Sequence, residues 1–211
     1  VSAAIGGGAI PVSATYANNT NVGTATATIT TNSTNFIEST RTVTKTYPIN
    51  AADLSKATIT VAAQTYSGKK LTPAPKVVLN GRTLTAGTDY TVSYANNTNA
   101  AKANAKNAPT ATVTGTKNYT GSAKKTFAIN ALKLDNKKVT ITLKSNSVKL
   151  NKKGTKVTIK SVVVKSTKAK VAKSNYTVSY KNNKKKGKNA QVVLKFKGNY
   201  SGTASKKFTI K

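Results

Sequence analysis

The chain has 211 residues, of which 35 are Lys or Arg and 4 are Asp or Glu, giving a formal net charge of +31. It contains no Cys, His, Met or Trp, which excludes disulfide bonds, thiolate metal sites and His-based acid–base chemistry. Four scattered acids argue against a hydrolase, because paired carboxylates must converge on one site. We therefore predict no enzymatic activity and no bound cofactor or metal.

The sequence also predicts neither a membrane span nor a signal peptide. No run of about 18 apolar residues is present, so we predict no membrane span. The opening VSAAIGGGAI has neither a starting Met nor a basic n-region, and we interpret it as a mature or internal start.

The main sequence feature is a repeat. The phrase YTVSY occurs at residues 90–94 and 176–180, followed each time by Asn-Asn, by Asn-Tyr-x-Gly and by Phe-x-Ile. A weaker copy lies earlier, with Tyr16-Ala17-Asn18-Asn19 and Tyr47-Pro48-Ile49 at the matching places. Self-similarity at a long period indicates an array of one module. We place a first repeat at 1–50, which holds the back half of a module, a second at 51–130 and a third at 131–211.

Alternation of apolar residues with Thr or Lys predicts strands that have one buried face. In the second repeat these strands are residues 58–61, 90–94, 110–114 and 125–129; in the third repeat they are 138–143, 156–160, 162–164, 176–180, 191–196 and 207–210. Asn80-Gly81 predicts a tight hairpin, and residues 100–108 are predicted to be a loop. The sequence thus predicts an all-β fold of β-sandwich modules arranged end to end on short linkers.

The first repeat lacks counterparts of residues 57–85, which predicts an open sheet edge. Two explanations remain open at this point. The chain is a piece of a longer one, or a neighbouring subunit contributes the missing strands, as in donor-strand polymers.

LTAGTDYTVSYANNTN, followed by NYTG and KTFAI, resembles the tandem Ig-like, MBG-type repeats of large secreted or wall-attached proteins of Gram-positive bacteria. This resemblance implies Ig-like β-sandwiches that serve as stalks, spacers or adhesive units outside the cell. The third repeat departs from the pattern, with Lys184-Lys185-Lys186 in place of the usual Thr/Asn turn.

Tyr94 and Tyr180 occupy equivalent positions in the two YTVSY phrases. One interpretation is an aromatic platform that stacks on sugar rings. The other is that both tyrosines belong to a thin core, since a residue repeated at the same place is typical of scaffold.

Positive charge rises along the chain. The net charge is +1 in the first repeat, +8 in the second and +22 in the third, where 23 Lys stand against Asp135. Dense lysine favours salt-sensitive contact with an anionic polymer of the cell wall or surface. The candidate residues for this contact are Lys181, Lys184, Lys185, Lys186, Lys188, Lys206 and Lys207. A solvated surface without a partner is the main alternative, and sequence-specific nucleic-acid binding is disfavoured because Arg is nearly absent.

Together these patterns predict a structural or stalk segment of a bacterial surface protein or extracellular filament, with a basic module on an anionic surface. The alternatives are a carbohydrate-binding or adhesive module and a self-assembling fibre subunit that uses strand complementation.

Overall fold

The structure, a computed structural model, describes residues 2–5, 8–31 and 41–211. These residues form mostly strands, with short 3-10 helices at Leu54–Lys56 and Lys173–Asn175. The all-β prediction is confirmed. Within the described ranges, no helix has the length and apolar character needed to cross a membrane.

In the first and second repeats the strands are β1 (Ser2–Ile5), β2 (Gly8–Ala17), β3 (Gly23–Thr31), β4 (Thr42–Ile49), β5 (Ala52–Asp53), β6 (Thr58–Thr60), β7 (Gln64–Thr65), β8 (Lys76–Leu79), β9 (Arg82–Thr83), β10 (Tyr90–Ala95), β11 (Thr110–Gly115), β12 (Tyr119–Thr120), β13 (Ser122–Thr126) and β14 (Ile129–Asn130). In the third repeat they are β15 (Leu132–Leu134), β16 (Val139–Leu143), β17 (Ser147–Val148), β18 (Ile159–Val164), β19 (Tyr176–Lys181), β20 (Gly187–Phe196) and β21 (Tyr200–Ile210).

The chain divides into two compact units. One comprises the described residues of Val1–Thr60 together with Lys76–Ser93 and Thr112–Lys125. The other comprises Val61–Pro75, Tyr94–Ala111 and Thr126–Lys211. Both units take residues from the segment 51–130, and the repeat boundaries drawn from the sequence stay a prediction.

A four-stranded antiparallel sheet in the order β1-β2-β3-β4 forms the N-terminal part of the first unit. Because side chains alternate between the two faces of a strand, one face of β2, β3 and β4 carries Ala, Val, Ile and Tyr together with Lys45 and Thr31, and the other carries mainly Thr and Ser. The large side chains of the apolar face are open to solvent, at 57% for Tyr16, 52% for Val43 and 37% for Ile29 and Tyr47, whereas the small Ala25 is buried. We call this surface the open apolar face.

The second repeat contributes a sheet in the order β6-β8-β9 and another in the order β10-β11-β13. Strands β8 and β9 are joined by the predicted hairpin at Asn80 and Gly81, whose φ angles of 49° and 80° are the left-handed values that a tight two-residue turn needs. Residues 100–108 form a loop, as predicted.

In the third repeat, the sheet β15-β21-β20-β19 shares one apolar core with the pair β16-β18. Val192 and Leu194 of β20 are fully buried, and Ile141 and Leu143 of β16 enter the same core. Alternate residues of both sheets therefore face inward, and the opposite side of β19, β20 and β21 faces solvent.

The first and third repeats pair their strands in matching register. Tyr16 lies opposite Ala27, as Tyr180 lies opposite Val192; Ala14 lies opposite Ile29, as Val178 lies opposite Leu194. On the next strand, Lys45 and Lys206 occupy the same place, and so do Tyr47 and Phe208. The repetition seen in the sequence is thus a repetition of strand pairing.

Two predicted strands of the third repeat were wrong in extent. Residues 156–160 and 162–164 do not form two strands but one, Ile159–Val164, and Val157 lies before it in irregular backbone. Val157 is buried all the same, because an apolar side chain enters a core from irregular backbone as readily as from a strand. In the second repeat, the predicted strand 125–129 is interrupted at Phe127 and Ala128, between β13 and β14.

Candidate functional site

The two tyrosines proposed as a sugar platform have their hydroxyls engaged by the backbone. The Tyr94 hydroxyl donates to the Pro73 carbonyl at 2.7 Å, and the Tyr180 hydroxyl donates to the Val157 carbonyl at 3.0 Å. Tyr180 also packs edge-on against Phe208, with ring centroids 6.3 Å apart. These contacts hold both side chains in position, which supports the scaffold interpretation.

Both rings do border open grooves. Tyr180 lines a groove of about 530 Å³ with Lys156, Tyr176 and Val178, and Tyr94 lines one of about 560 Å³ with Asn96–Asn99. Stacking of a glycan on Tyr94 or Tyr180 stays a prediction.

The candidate lysines do not share one surface. Lys181, Gln191 and Lys207 lie opposite one another on β19, β20 and β21, so the two lysines share the solvent-facing side of that sheet in one cross-strand row. Lys206 lies opposite Val192 and is directed to the other side, because adjacent residues of a strand alternate. The structure therefore brings Lys181 to Lys207 and separates Lys206 from both.

The remaining candidates lie in and beside the connection between β19 and β20. Lys184, Lys185 and Lys186 form this connection and are exposed. Lys188 lies in an irregularity of the pairing between Gly187 and Ala190, where β20 has one more residue than β21.

A second basic loop, which the sequence analysis missed, is bonded to this connection. The Asn183 side-chain amide donates to the Thr155 carbonyl at 2.9 Å, and the Thr155 N–H donates to the Asn183 carbonyl at 2.7 Å. These bonds bring Lys152 and Lys153 to the same end of the repeat as the connection. The second repeat has the same two bonds, between Asn97 and Leu71, at 2.8 and 2.9 Å.

The Asn-Asn turns have the geometry expected of asparagine. The first Asn of each pair adopts a left-handed backbone, with φ of 55° at Asn18, 55° at Asn96 and 53° at Asn182. Asparagine tolerates this conformation better than other residues with a Cβ, so the turns are explained without a ligand.

The Asn of each Asn-Tyr-x-Gly motif clamps the preceding repeat. In the first unit, the Val22 N–H donates to Asn118 Oδ1 at 2.9 Å, and Asn118 Nδ2 donates to Asn21 Oδ1 at 2.8 Å. Beside this clamp, Tyr119 pairs in parallel with Ala52. One side chain thus bonds both the backbone and a side chain of the repeat before it.

The same clamp recurs in the second unit. The Ala100 N–H donates to Asn199 Oδ1 at 2.7 Å, and Asn199 Nδ2 donates to Asn99 Oδ1 at 2.9 Å. Tyr200 pairs in parallel with Leu132 and meets the ring of Tyr66 edge-on at 5.4 Å. Burial raises the pKa of the Tyr200 hydroxyl, and the neighbouring Tyr66 adds to this.

The Gly that ends each motif is required by close approach. Gly121 and Gly202 have φ of 75° and 91°. A Cβ at Gly121 would lie 2.8 Å from Asp53 Oδ1, and a Cβ at Gly202 would collide with the Leu134 carbonyl oxygen. Only glycine combines a left-handed backbone with this lack of space.

The described acids serve the backbone. Asp53 accepts from the N–H and hydroxyl of Ser55, and these bonds lower the pKa of its carboxyl. Asp89 accepts from the Thr85 N–H at 2.9 Å, and Asp135 accepts from the N–H groups of Lys137 and Lys138. Among the described residues no group of three metal-ligating side chains is found. The fourth acid, Glu38, lies outside the described residues.

Comparisons of the chain with family models, with curated proteins and with solved structures gave no match.

Proposed function

We propose that the chain is a non-enzymatic structural segment of tandem Ig-like β-sandwich modules, belonging to a secreted or wall-attached surface protein or filament of a Gram-positive bacterium. The MBG-like motifs described above support the class and the location. The third repeat contacts an anionic polymer of the wall or surface, in line with its net charge of +22.

The repeated clamp carries this proposal. Asn118 and Asn199 bond equivalent atoms of the preceding repeat, with donor–acceptor distances between 2.7 and 2.9 Å. A stalk needs joints of reproducible geometry, and two hydrogen bonds from one planar amide fix both distance and orientation. A carbohydrate-binding module has no such need, because its function lies in a single site.

Replacement of Asn199 by Ala tests the proposed joint. The chain has no native Cys, so spin labels can be attached at Lys102→Cys and Ser166→Cys, both at exposed positions. Pulsed electron–electron double resonance then measures the distance between the two labels across the joint. We expect a narrow distance distribution in the parent chain and a broader one in Asn199→Ala. Asn104→Ala in the loop of the second repeat is the matched control and should leave the distribution unchanged.

Two results would contradict the structural proposal. One is a broad distribution in the parent chain, and the other is an unchanged distribution in an Asn199→Ala chain whose circular dichroism shows that it is folded.

The open apolar face favours a second candidate, a self-assembling subunit in which a second copy of the chain covers this face. In the third repeat the matching residues are inside the core: Leu194 at 0%, Phe208 at 2% and Ala204 at 4% exposed, against Ile29 and Tyr47 at 37% and Val43 at 52%. The face of β2, β3 and β4, with about nine residues per strand, measures roughly 400 Å² from strand spacing and rise. Two such faces would bury on the order of 800 Å², the size of a weak and reversible contact.

Sedimentation of the full chain over a concentration series tests this candidate. We expect reversible self-association that is lost in Val43→Lys, on the open apolar face, and kept in Thr44→Lys, on the opposite face of the same strand. A chain that stays monomeric to millimolar concentration, or equal behaviour of the two variants, excludes it.

A further inference from the structure

The second repeat has an end that receives the third repeat, formed by three residues. Tyr66 packs edge-on against Tyr200, the Asn99 side chain accepts from Asn199, and the Ala100 N–H donates to Asn199. We call this surface the receiving end of the second repeat.

The third repeat has the same end, built by the same backbone bonds. The Leu150 N–H donates to the Lys211 carbonyl, as the Tyr66 N–H donates to the Asn130 carbonyl, at 3.0 and 2.9 Å. Leu150 therefore occupies the place of Tyr66. The loops that follow are equally long, because Thr155 matches Leu71 through its bond to the Asn-Asn turn.

Counting from the Asn-Asn turns gives the counterparts of the clamped residues. Asn21 and Asn99 stand two residues after the second Asn of their turns, at Asn19 and Asn97; two residues after Asn183 stands Lys185. An ammonium group only donates hydrogen bonds, so Lys185 offers no acceptor for a clamping Asn Nδ2. The receiving end of the third repeat thus lacks the side-chain half of the joint used twice elsewhere in the chain.

Cations surround this end on both loops. Lys149, Lys152 and Lys153 lie on one loop, and Lys184, Lys185 and Lys186 on the other. The bonds between Asn183 and Thr155 hold the loops together. Leu150 between them is 36% exposed, and residues 136–211 contain no acid.

We propose that this end of the third repeat binds a linear, phosphate-bearing polyanion in place of a further repeat. This rests on the proposed contact with an anionic polymer and assigns it to the two loops, and not to the Lys181–Lys207 row. Lysines distributed over two loops suit a flexible chain of point charges, because each ammonium pairs with a phosphate without a fixed bidentate geometry. A folded acidic partner would instead have to hold a carboxylate at a fixed position opposite Lys185.

Binding of long-chain inorganic polyphosphate to the full chain tests the assignment. A loop variant carries Lys152→Ala, Lys153→Ala, Lys184→Ala, Lys185→Ala and Lys186→Ala. A control variant removes equal charge elsewhere in the same repeat, through Lys133→Ala, Lys165→Ala, Lys170→Ala, Lys195→Ala and Lys197→Ala, all at exposed positions. Dissociation constants are measured at low and moderate salt, and circular dichroism verifies folding of both variants.

We expect the loop variant to bind at least about tenfold more weakly at low salt and with a shallower salt dependence, since fewer counterions are displaced. The control variant should change binding less than about threefold, as expected for remote, screened charges. Equal weakening of the two variants, or full binding by the loop variant, overturns the assignment to this end while leaving polyanion contact in place. No binding of polyphosphate by the parent chain removes the polyanion part of the proposed function itself.

Poly-glutamate of similar length is measured in parallel. Tighter binding of poly-glutamate than of polyphosphate, lost in the loop variant, would identify an acidic polypeptide as the partner and overturn the assignment of phosphate.

Discussion

The sheet β2-β3-β4 and the sheet β19-β20-β21 have the same strand register but different surroundings. Ile29 and Leu194 occupy matching positions, yet Ile29 is 37% exposed and Leu194 is fully buried. The difference lies in the second layer, since β16 and β18 cover the inner side of the third repeat. Strand pairing is thus encoded within each sheet, whereas burial depends on residues elsewhere in the chain.

The largest expected effect is a difference between the two sheets in the free energy of unfolding that is lost when an apolar side chain is truncated. Leu194→Ala should lower the free energy of unfolding of its repeat by about 2–5 kcal/mol, since it leaves a cavity in a closed core. Ile29→Ala on the open apolar face should cost less than about 1 kcal/mol. Urea denaturation followed by tyrosine fluorescence checks both, and similar losses would mean that the face of the first sheet is covered in solution.

A smaller effect is expected from the matching tyrosines. Tyr180→Phe removes the hydrogen bond to the Val157 carbonyl, and loss of one such bond from a partly buried site costs about 1 kcal/mol. Tyr16→Phe changes a ring that is 57% exposed and should leave the free energy of unfolding within about 0.5 kcal/mol of the parent value. If both variants shift the midpoint equally, the hydroxyl of Tyr180 has no special role in the scaffold.

The smallest effect concerns alkaline pH. Burial raises the pKa of Tyr176 and of Tyr200 above the ordinary value of 10.0. The folded third repeat therefore holds these protons more tightly than the unfolded chain, and the resulting stability is present below pH 10 and lost as pH rises through the raised values. Thermal melts between pH 9 and 12 should show a shallower alkaline decline in Tyr176→Phe; an unchanged slope would mean that Tyr176 contributes nothing to it.

The sequence predicted much of the fold because its signals are local. Alternation located most strands, Asn80-Gly81 located a tight turn, and the repeated YTVSY phrase located matching strands. The separation of Lys206 from Lys207 follows from alternation alone and was overlooked because the lysines were considered as one cluster.

These local signals predicted neither the joints between repeats nor the second basic loop. The bonds made by Asn118 and Asn199 could not be predicted from the sequence, because the partner of each lies about 100 residues away in the chain. Lys152 and Lys153 approach Lys184–Lys186 through bonds between Asn183 and Thr155, and nothing local to either loop specifies that pairing. Contacts of this kind depend on how separately formed sheets meet.

The clamps between repeats are made of neutral amides, whereas the proposed contact with a partner is made by charged lysines. The two kinds of interaction therefore respond differently to pH and salt. An amide side chain does not ionise at ordinary pH and has no net charge, so acidification or high salt should leave the hydrogen bonds of Asn118 and Asn199 intact. The lysine loops respond to both the ionic medium and the charge of whatever they meet. High salt should therefore dissociate the chain from an anionic partner while the joints between its repeats stay intact.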